Sequence, residues 1–152
     1  MIKNQYGIDC TGRNPTDRGR QGTKLTSITD HNGMTNSVLF TPANIPDCVL
    51  LEKSIRKCLE PLQRLEMFAD RGYASKGNSR ICSSYKLNDR IFRKKTKTTR
   101  RANAKRCVVE HSYSWVDKYR RLIMRYEKHI NSYSEMLFIS LSQMVCCRFL
   151  SS

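Results

Sequence analysis

Residues 24–41 are rich in strand-forming side chains on both sides of an Asn-Gly pair. Asn32 and Gly33 adopt the positive φ angles of a tight turn more readily than other residues do, which makes this pair a strong hairpin signal. The pattern predicts an antiparallel hairpin over residues 24–41. A chain with such a hairpin must build its core on an antiparallel or a mixed sheet.

The segments outside the hairpin predict strands that alternate with helices. Residues 2–8 are expected to form a first strand that ends at Asp9. The compact apolar run at residues 65–69 suits a buried fourth strand that ends at Asp70, and residues 89–95 predict a fifth strand. Helical spacing of apolar residues predicts helices at residues 46–59, 73–85, 107–126 and 132–150.

Within residues 107–126, apolar pairs recur every seven residues and predict one stripe along a single helix. The pairs are Val108 with Val109, Trp115 with Val116, and Leu122 with Ile123. The whole order is strand, hairpin, helix, strand, helix, strand, helix, helix. This order resembles an RNase H-like α/β fold, with a mixed five-stranded sheet and flanking helices. We expect one domain over residues 1–152.

The charge of the chain indicates a polyanionic partner. The sequence holds 28 Lys and Arg against 13 Asp and Glu, a formal net charge of +15. Nucleic acid is the first candidate and an anionic membrane surface the second. The most apolar segment, residues 136–150, is shorter than the ~20 residues of a membrane span and contains polar residues. We therefore expect a buried helix there and no membrane partner.

Seven cysteines are scattered along the chain without a CxxC pair. An odd number at irregular spacing argues against a disulfide framework and against a zinc site. We expect buried thiols in a reducing compartment.

Asp9 and Asp70 are candidates for a metal site. If the strands that precede them are neighbours, their carboxylates meet at one sheet edge and repel each other. A divalent cation with oxygen ligands, Mg²⁺ or Mn²⁺, relieves that repulsion. Glu110 lies off the apolar stripe of its helix and is the candidate third ligand. The alternatives are that Asp70 caps a turn or helix and that Glu110 is only a solvated side chain.

Four blocks, in order and spacing, resemble the catalytic half of DDE insertion-sequence transposases. They are IDCT, NPTDRGRQGTK, FADRGYAS and RCVVEHSYSWVDKYRRLIMRYE, and the nearest group is the one numbered five, related to group four. The acidic residues of the family's blocks match Asp9, Asp70 and Glu110. The resemblance implies a metal-binding triad that cleaves and transfers DNA strands at insertion-sequence ends. This chain departs from the family pattern at His111 and Pro46, where members carry arginine and commonly histidine.

Basic residues near these blocks are candidate contacts to DNA phosphates, which arginine forks bind well. They follow Asp9, adjoin Asp70 or lie on and after the Glu110 helix. The residues are Arg13, Arg18, Arg20, Lys24, Arg71, Arg106, Lys118, Arg120 and Arg121. The basic run at residues 93–106 is a further candidate for the same groove. A solvated basic face is the alternative.

The resemblance also implies partners and a location. DNA is expected as terminal inverted repeats and as target, with a homo-oligomer assembled on it. The expected location is cytoplasmic, at a bacterial nucleoid, or nuclear in a eukaryotic host. Members carry a further N-terminal region that recognises the repeats. We therefore expect either the second frame of a split gene, with an upstream-frame polypeptide as partner, or a truncated, non-catalytic DNA-binding remnant. Another RNase H-like nuclease, such as a resolvase, is a weaker alternative because of the Glu110 block.

Overall fold

The computed structural model describes residues 1–58, 62, 64–93 and 100–150, and only the backbone of residues 100–106. The chain divides into two compact units, each with its own internal contacts. The first unit comprises Met1–Leu25, Phe40–Ile45 and Glu110–Ser152, and the second comprises Thr26–Leu39 and Pro46–Val109.

The described residues form seven strands and five α-helices. The strands are β1 (Ile2–Asn4), β2 (Gly12–Arg13), β3 (Gln21–Thr29), β4 (Thr35–Pro42), β5 (Glu66–Met67), β6 (Asn88–Asp89) and β7 (Met124–Arg125). The helices are α1 (Leu51–Arg56), α2 (Lys76–Ser84), α3 (Arg100–Val116), α4 (Arg120–Ile123) and α5 (Ile130–Leu150). Two 3₁₀ turns, Asp47–Val49 and Arg71–Tyr73, precede α1 and α2.

The main sheet has five strands and a mixed pattern of pairing. Its order is β2-β3-β1-β7, and β4 pairs with β3. β1 runs antiparallel to β3 and parallel to β7, where Asn4 lies opposite Arg125. This confirms the predicted class, a mixed α/β fold of the RNase H-like type with a five-stranded sheet and flanking helices.

The hairpin predicted at residues 24–41 is present as β3 and β4. Its turn depends on Asp30 as well as on the Asn-Gly pair. The Asp30 carboxylate accepts hydrogen bonds from the backbone amides of Asn32 (2.9 Å) and Met34 (2.8 Å). Gly33 has a φ of +79°, in the left-handed region that glycine adopts without strain. Local chemistry therefore specifies this element.

The strands that make up the main sheet differ from the prediction. A shared sheet edge for Asp9 and Asp70 required the strand before Asp70 to lie beside the strand before Asp9. Among the described residues this condition is not met, because β1 has a hydrogen-bonded partner on each edge, β3 and β7. β5, which precedes Asp70, pairs instead with β6, in parallel, in a separate two-stranded sheet. The fifth strand predicted at residues 89–95 is confined to Asn88–Asp89, and residues 94–99 lie outside the described chain.

The first strand is shorter than predicted and ends at Asn4, five residues before Asp9. Tyr6 and Ile8 are exposed, by 61% and 66%, so these apolar side chains do not extend the strand into a core. The chain instead bends, and Cys10 takes a φ of +46°. Asp9 consequently lies in a loop.

The helix predicted over residues 107–126 is also broken. α3 ends at Val116, Tyr119 is extended, and α4 begins at Arg120. Leu122 is buried while Ile123 is exposed, so the predicted pairs do not form one stripe. A strand that the sequence did not predict, β7, follows directly, because pairing with β1 replaces further helix at Met124 and Arg125.

Each unit contains its own buried apolar residues. In the second unit, Leu51 and Ile55 of α1 and Cys82 of α2 form a buried cluster with Leu87 and Ile91. In the first unit, the fully buried Tyr133 of α5 donates a hydrogen bond from its hydroxyl to the Leu122 carbonyl (2.6 Å) and meets Phe40 edge-on.

The predicted buried helix at residues 132–150 exists as α5 but buries only one face. Leu137 and Met144 are buried, whereas Ile139 and Phe149 are exposed. Among the described residues, no helix is long and apolar enough to span a membrane.

Candidate active site

Asp9 is anchored by hydrogen bonds within the first unit. Its Oδ1 accepts hydrogen bonds from Nη2 of Arg125 and from the backbone amide of Ile130 (2.8 Å), the first residue of α5. Its Oδ2 lies 3.5 Å from Nδ1 of His129. The side chain remains 39% exposed. The carboxylate is thus held on one oxygen while part of it faces solvent.

The surroundings of Asp9 favour the ionised carboxylate. Burial of the carboxyl raises its pKa, but the hydrogen bonds from Arg125 and from the Ile130 amide outweigh burial and hold the pKa below its usual range. The N-terminus of α5 adds the positive end of a helix dipole at the same point. An ionised, partly exposed carboxylate is a suitable ligand for a hard cation.

Arg125 is the site residue that the sequence prediction missed. It was assigned to the end of a long helix, whereas it lies in β7 with none of its side chain exposed. The available signal was weak, since Arg125 is one of 28 basic residues and only its burial sets it apart. A fully buried arginine remains charged and must have partners.

Asp70 lies in the second unit, directly before the 3₁₀ turn Arg71–Tyr73. It has the extended backbone of an N-cap residue, but its side chain makes no capping hydrogen bond. Its backbone carbonyl accepts from the Tyr73 amide (3.0 Å). The Asp70 side chain is exposed and does not cap the turn, so the structure does not support the alternative that Asp70 is an N-cap.

Gly72 serves close packing and not a left-handed turn. Gly33 and Gly19 are the glycines with positive φ in the described chain, and Gly72 is not among them. A Cβ at Gly72 would lie 2.6 Å from Oδ2 of Asp47 and 3.2 Å from its Cβ. Asp47 thus packs directly against the turn that follows Asp70.

Glu110 lies on α3 with its side chain exposed, as expected for a residue off the apolar face. Its backbone carbonyl accepts a hydrogen bond from the Ser114 hydroxyl (2.9 Å). Asp9 and Glu110 belong to the first unit and Asp70 to the second. Within the described ranges, no group of three or more His, Cys, Asp or Glu side chains is close enough to hold one metal ion.

The basic residues after Asp9 lie on an ordered hairpin between β2 and β3. Asn14 organises its loop, because the Asn14 carbonyl accepts from the Gly19 amide (3.0 Å) and its side chain accepts from the Thr16 amide (3.0 Å). Arg18 and Gly19 both have positive φ angles at the tip. The exposed basic side chains of this hairpin are Arg13, Arg18 and Arg20.

The remaining predicted basic contacts differ in their surroundings. Lys24 donates from Nζ to the Ile45 carbonyl at 2.6 Å, which gives it a structural role in the first unit. Lys118 lies over the Trp115 ring, 4.4 Å from its centroid. Arg121 pairs with Glu127 (2.7 Å). Arg71 and Arg120 are exposed, and the side chain of Arg106 lies outside the described part of the chain.

Comparison with known proteins identifies the family of the chain. It is 31% identical, over 151 residues, to a Burkholderia cepacia protein named as a transposase for insertion sequence element IS402. The match covers 94% of this chain and 69% of that relative. No solved structure matches the chain. A family model described as "Transposase DDE domain" matches residues 5–145, a span that includes Asp9, Asp70 and Glu110. The chain therefore belongs to the transposase DDE domain family.

Proposed function

We propose that this chain is the catalytic domain of an insertion-sequence transposase that cleaves DNA and transfers strands with the help of a divalent cation. Family membership supports transposition as the general function and polynucleotidyl transfer as the class of reaction. The observation that carries the proposal is Asp9, a carboxylate inside the matched span that is ionised, anchored on Oδ1 and partly exposed.

The donor set suits Mg²⁺ or Mn²⁺. Asp9, Asp70 and Glu110 are hard oxygen donors, and the two cations prefer such ligands. When bound, the ions would lower the pKa of an attacking water or 3′-hydroxyl and stabilise the leaving oxygen. In this proposal the carboxylates hold the cation, and the matched family pattern is the basis for their assignment.

The substrate is proposed to be DNA that carries the terminal inverted repeats, followed by target DNA. The excess of 28 Lys and Arg over 13 Asp and Glu supports a polyanionic substrate. The exposed hairpin arginines, Arg13, Arg18 and Arg20, are proposed to contact its phosphates. Arg71, Arg106, Lys118, Arg120 and Arg121 are proposed as further contacts, while Lys24 has a structural role. Assembly as a homo-oligomer on nucleoid DNA, with or without an upstream-frame polypeptide, belongs to the same proposal.

A nicking assay tests the proposal. Wild type, Asp70→Asn and Glu110→Gln are incubated with a duplex that carries the element's ends, in Mg²⁺ and in EDTA. We expect nicking in Mg²⁺ by the wild type alone, since each substitution removes one anionic ligand while keeping the side-chain shape. Wild type that binds the duplex but never nicks it, with Mg²⁺ or Mn²⁺, would indicate the non-catalytic remnant instead.

A further inference from the structure

Arg125 forms a complete hydrogen-bond network in the first unit. A guanidinium has five N–H groups, and all five have an acceptor here. Nε donates to the Glu127 carbonyl (3.0 Å), and Nη1 donates to the Asp9 carbonyl (2.8 Å) and to Oγ1 of Thr23 (3.2 Å). Nη2 donates to the Lys128 carbonyl (2.7 Å) and to Oδ1 of Asp9. Asp9 is the one carboxylate among these acceptors.

The surrounding chain is built to fit this guanidinium. A Cβ at Gly7 would lie 3.0 Å from Cζ of Arg125 and 3.2 Å from Nε, so glycine allows the backbone to lie against the guanidinium. Thr23, which accepts from Nη1, also donates from Oγ1 to the Cys10 carbonyl (2.8 Å). Arg125 therefore contacts the loop before Asp9, and Thr23 supports the loop after it.

The two carboxylate oxygens of Asp9 have different contacts. Oδ1 accepts hydrogen bonds from both Arg125 and the Ile130 amide, so both of its lone pairs are engaged. Oδ2 lies 3.5 Å from Nδ1 of His129, a longer contact than a good hydrogen bond. A cation that approaches Asp9 would therefore meet Oδ2.

We propose that Arg125 is a positioning residue for Asp9: its buried guanidinium fixes Oδ1 and the loop backbone, so that Oδ2 is presented to the divalent cation. This inference rests on the proposed function, since it takes Asp9 as a cation ligand. Partners of metal ligands fix the orientation of the ligand, and their loss usually weakens metal binding by about 10- to 100-fold.

The experiment measures Mn²⁺ binding to the full chain without DNA, by the loss of the free Mn²⁺ signal in electron paramagnetic resonance. Arg125→Lys keeps the charge but has three N–H groups on a single nitrogen, so it cannot reach the same acceptors. We expect its Mn²⁺ affinity to fall by about 10- to 100-fold. Arg56→Lys is the matched control, because Arg56 pairs with Glu52 on the surface of α1 (2.6 Å), and its Mn²⁺ affinity should equal that of wild type.

A second variant covers the case in which Arg125→Lys does not fold, as judged by a thermal melt. Gly7→Ala retains the arginine but displaces its guanidinium, and we expect a smaller loss of Mn²⁺ affinity in the same direction. If both variants bind Mn²⁺ like wild type while Asp9→Asn loses binding, Arg125 is only structural and the inference is wrong. If Asp9→Asn itself binds Mn²⁺ like wild type, the proposed function and this inference both fail.

Discussion

Asp9 and Asp70 both follow a strand in the sequence, yet the two regions around them are stabilised by different contacts. Asp9 is fixed by a buried arginine and by the first amide of α5. Asp70 precedes a short 3₁₀ turn that packs closely on Asp47 through Gly72. The comparison shows that an aspartate after a strand can be supported by a polar network in one unit and can precede a closely packed turn in the other.

The largest expected difference between the regions concerns stability. Asp9→Ala leaves the guanidinium of Arg125 buried without a carboxylate, and we expect the free energy of unfolding to fall by about 3 kcal/mol. Asp70→Ala alters an exposed side chain and should cost less than about 1 kcal/mol. Urea unfolding at pH 7 measures both. Equal losses would contradict the distinction between the two regions.

A smaller effect is expected from filling the space at Gly72. Gly72→Ala places a Cβ against Asp47, and we expect a loss of about 2 kcal/mol in the free energy of unfolding. Asp47→Ala in the same chain should restore part of that loss. Gly77→Ala is the control in the same unit, because its Cβ meets only Oγ of Ser75 at 3.7 Å. Because Gly77 lies within helix α2, Gly77→Ala should raise the free energy of unfolding by about 0.5–1 kcal/mol.

The basic residues after Asp9 offer a third comparison. Lys24→Ala removes the hydrogen bond to Ile45, so unfolding should become easier by about 1 kcal/mol. Arg18→Ala with Arg20→Ala should leave stability unchanged and lower the slope of log affinity against log salt by about one per lost phosphate contact. Thermal melts and duplex binding from 50 to about 200 mM salt separate the two outcomes. A salt slope unchanged by the arginine substitutions would exclude the hairpin as a DNA surface.

The smallest effect is expected at Asp89, the second unit's counterpart of the arginine-anchored Asp9. Burial raises the pKa of Asp89, but hydrogen bonds from the Ile91 amide (2.9 Å) and from Arg93 outweigh burial and lower it. Because the pKa of Asp89 is lower in the folded than in the unfolded protein, its carboxylate stabilises the fold at pH values above the ordinary pKa of 3.8. That stability is lost as the pH falls through the folded pKa.

The measurement compares the urea midpoints of wild type and Asp89→Asn between pH 7 and pH 3. Asparagine can still accept from the Ile91 amide but carries no charge for Arg93. Wild type should be the more stable at pH 7, and the difference should close as the carboxyl becomes protonated. A difference that stays constant with pH would assign no role to the charge of Asp89.

Some elements follow from local sequence because their stabilising contacts are local. The hairpin was predicted from Asn32 and Gly33, and its turn is completed by Asp30 within five residues. The helix predicted at residues 73–85 forms as α2, where the Ser75 side chain accepts from the Asn78 amide (2.9 Å). Capping and turn chemistry act over three or four residues, so the sequence pattern carries the information.

The sequence alone thus determined the hairpin, the helices α2 and α5, the mixed α/β class and the family blocks around Asp9, Asp70 and Glu110. Only the tertiary structure decided that β7 pairs with β1, that the long helix breaks after Val116, and that Arg125 anchors Asp9. Arg125 and Asp9 are 116 residues apart. The contact forms because a buried charge must be fully hydrogen-bonded, and burial depends on how distant segments pack, which no local pattern encodes.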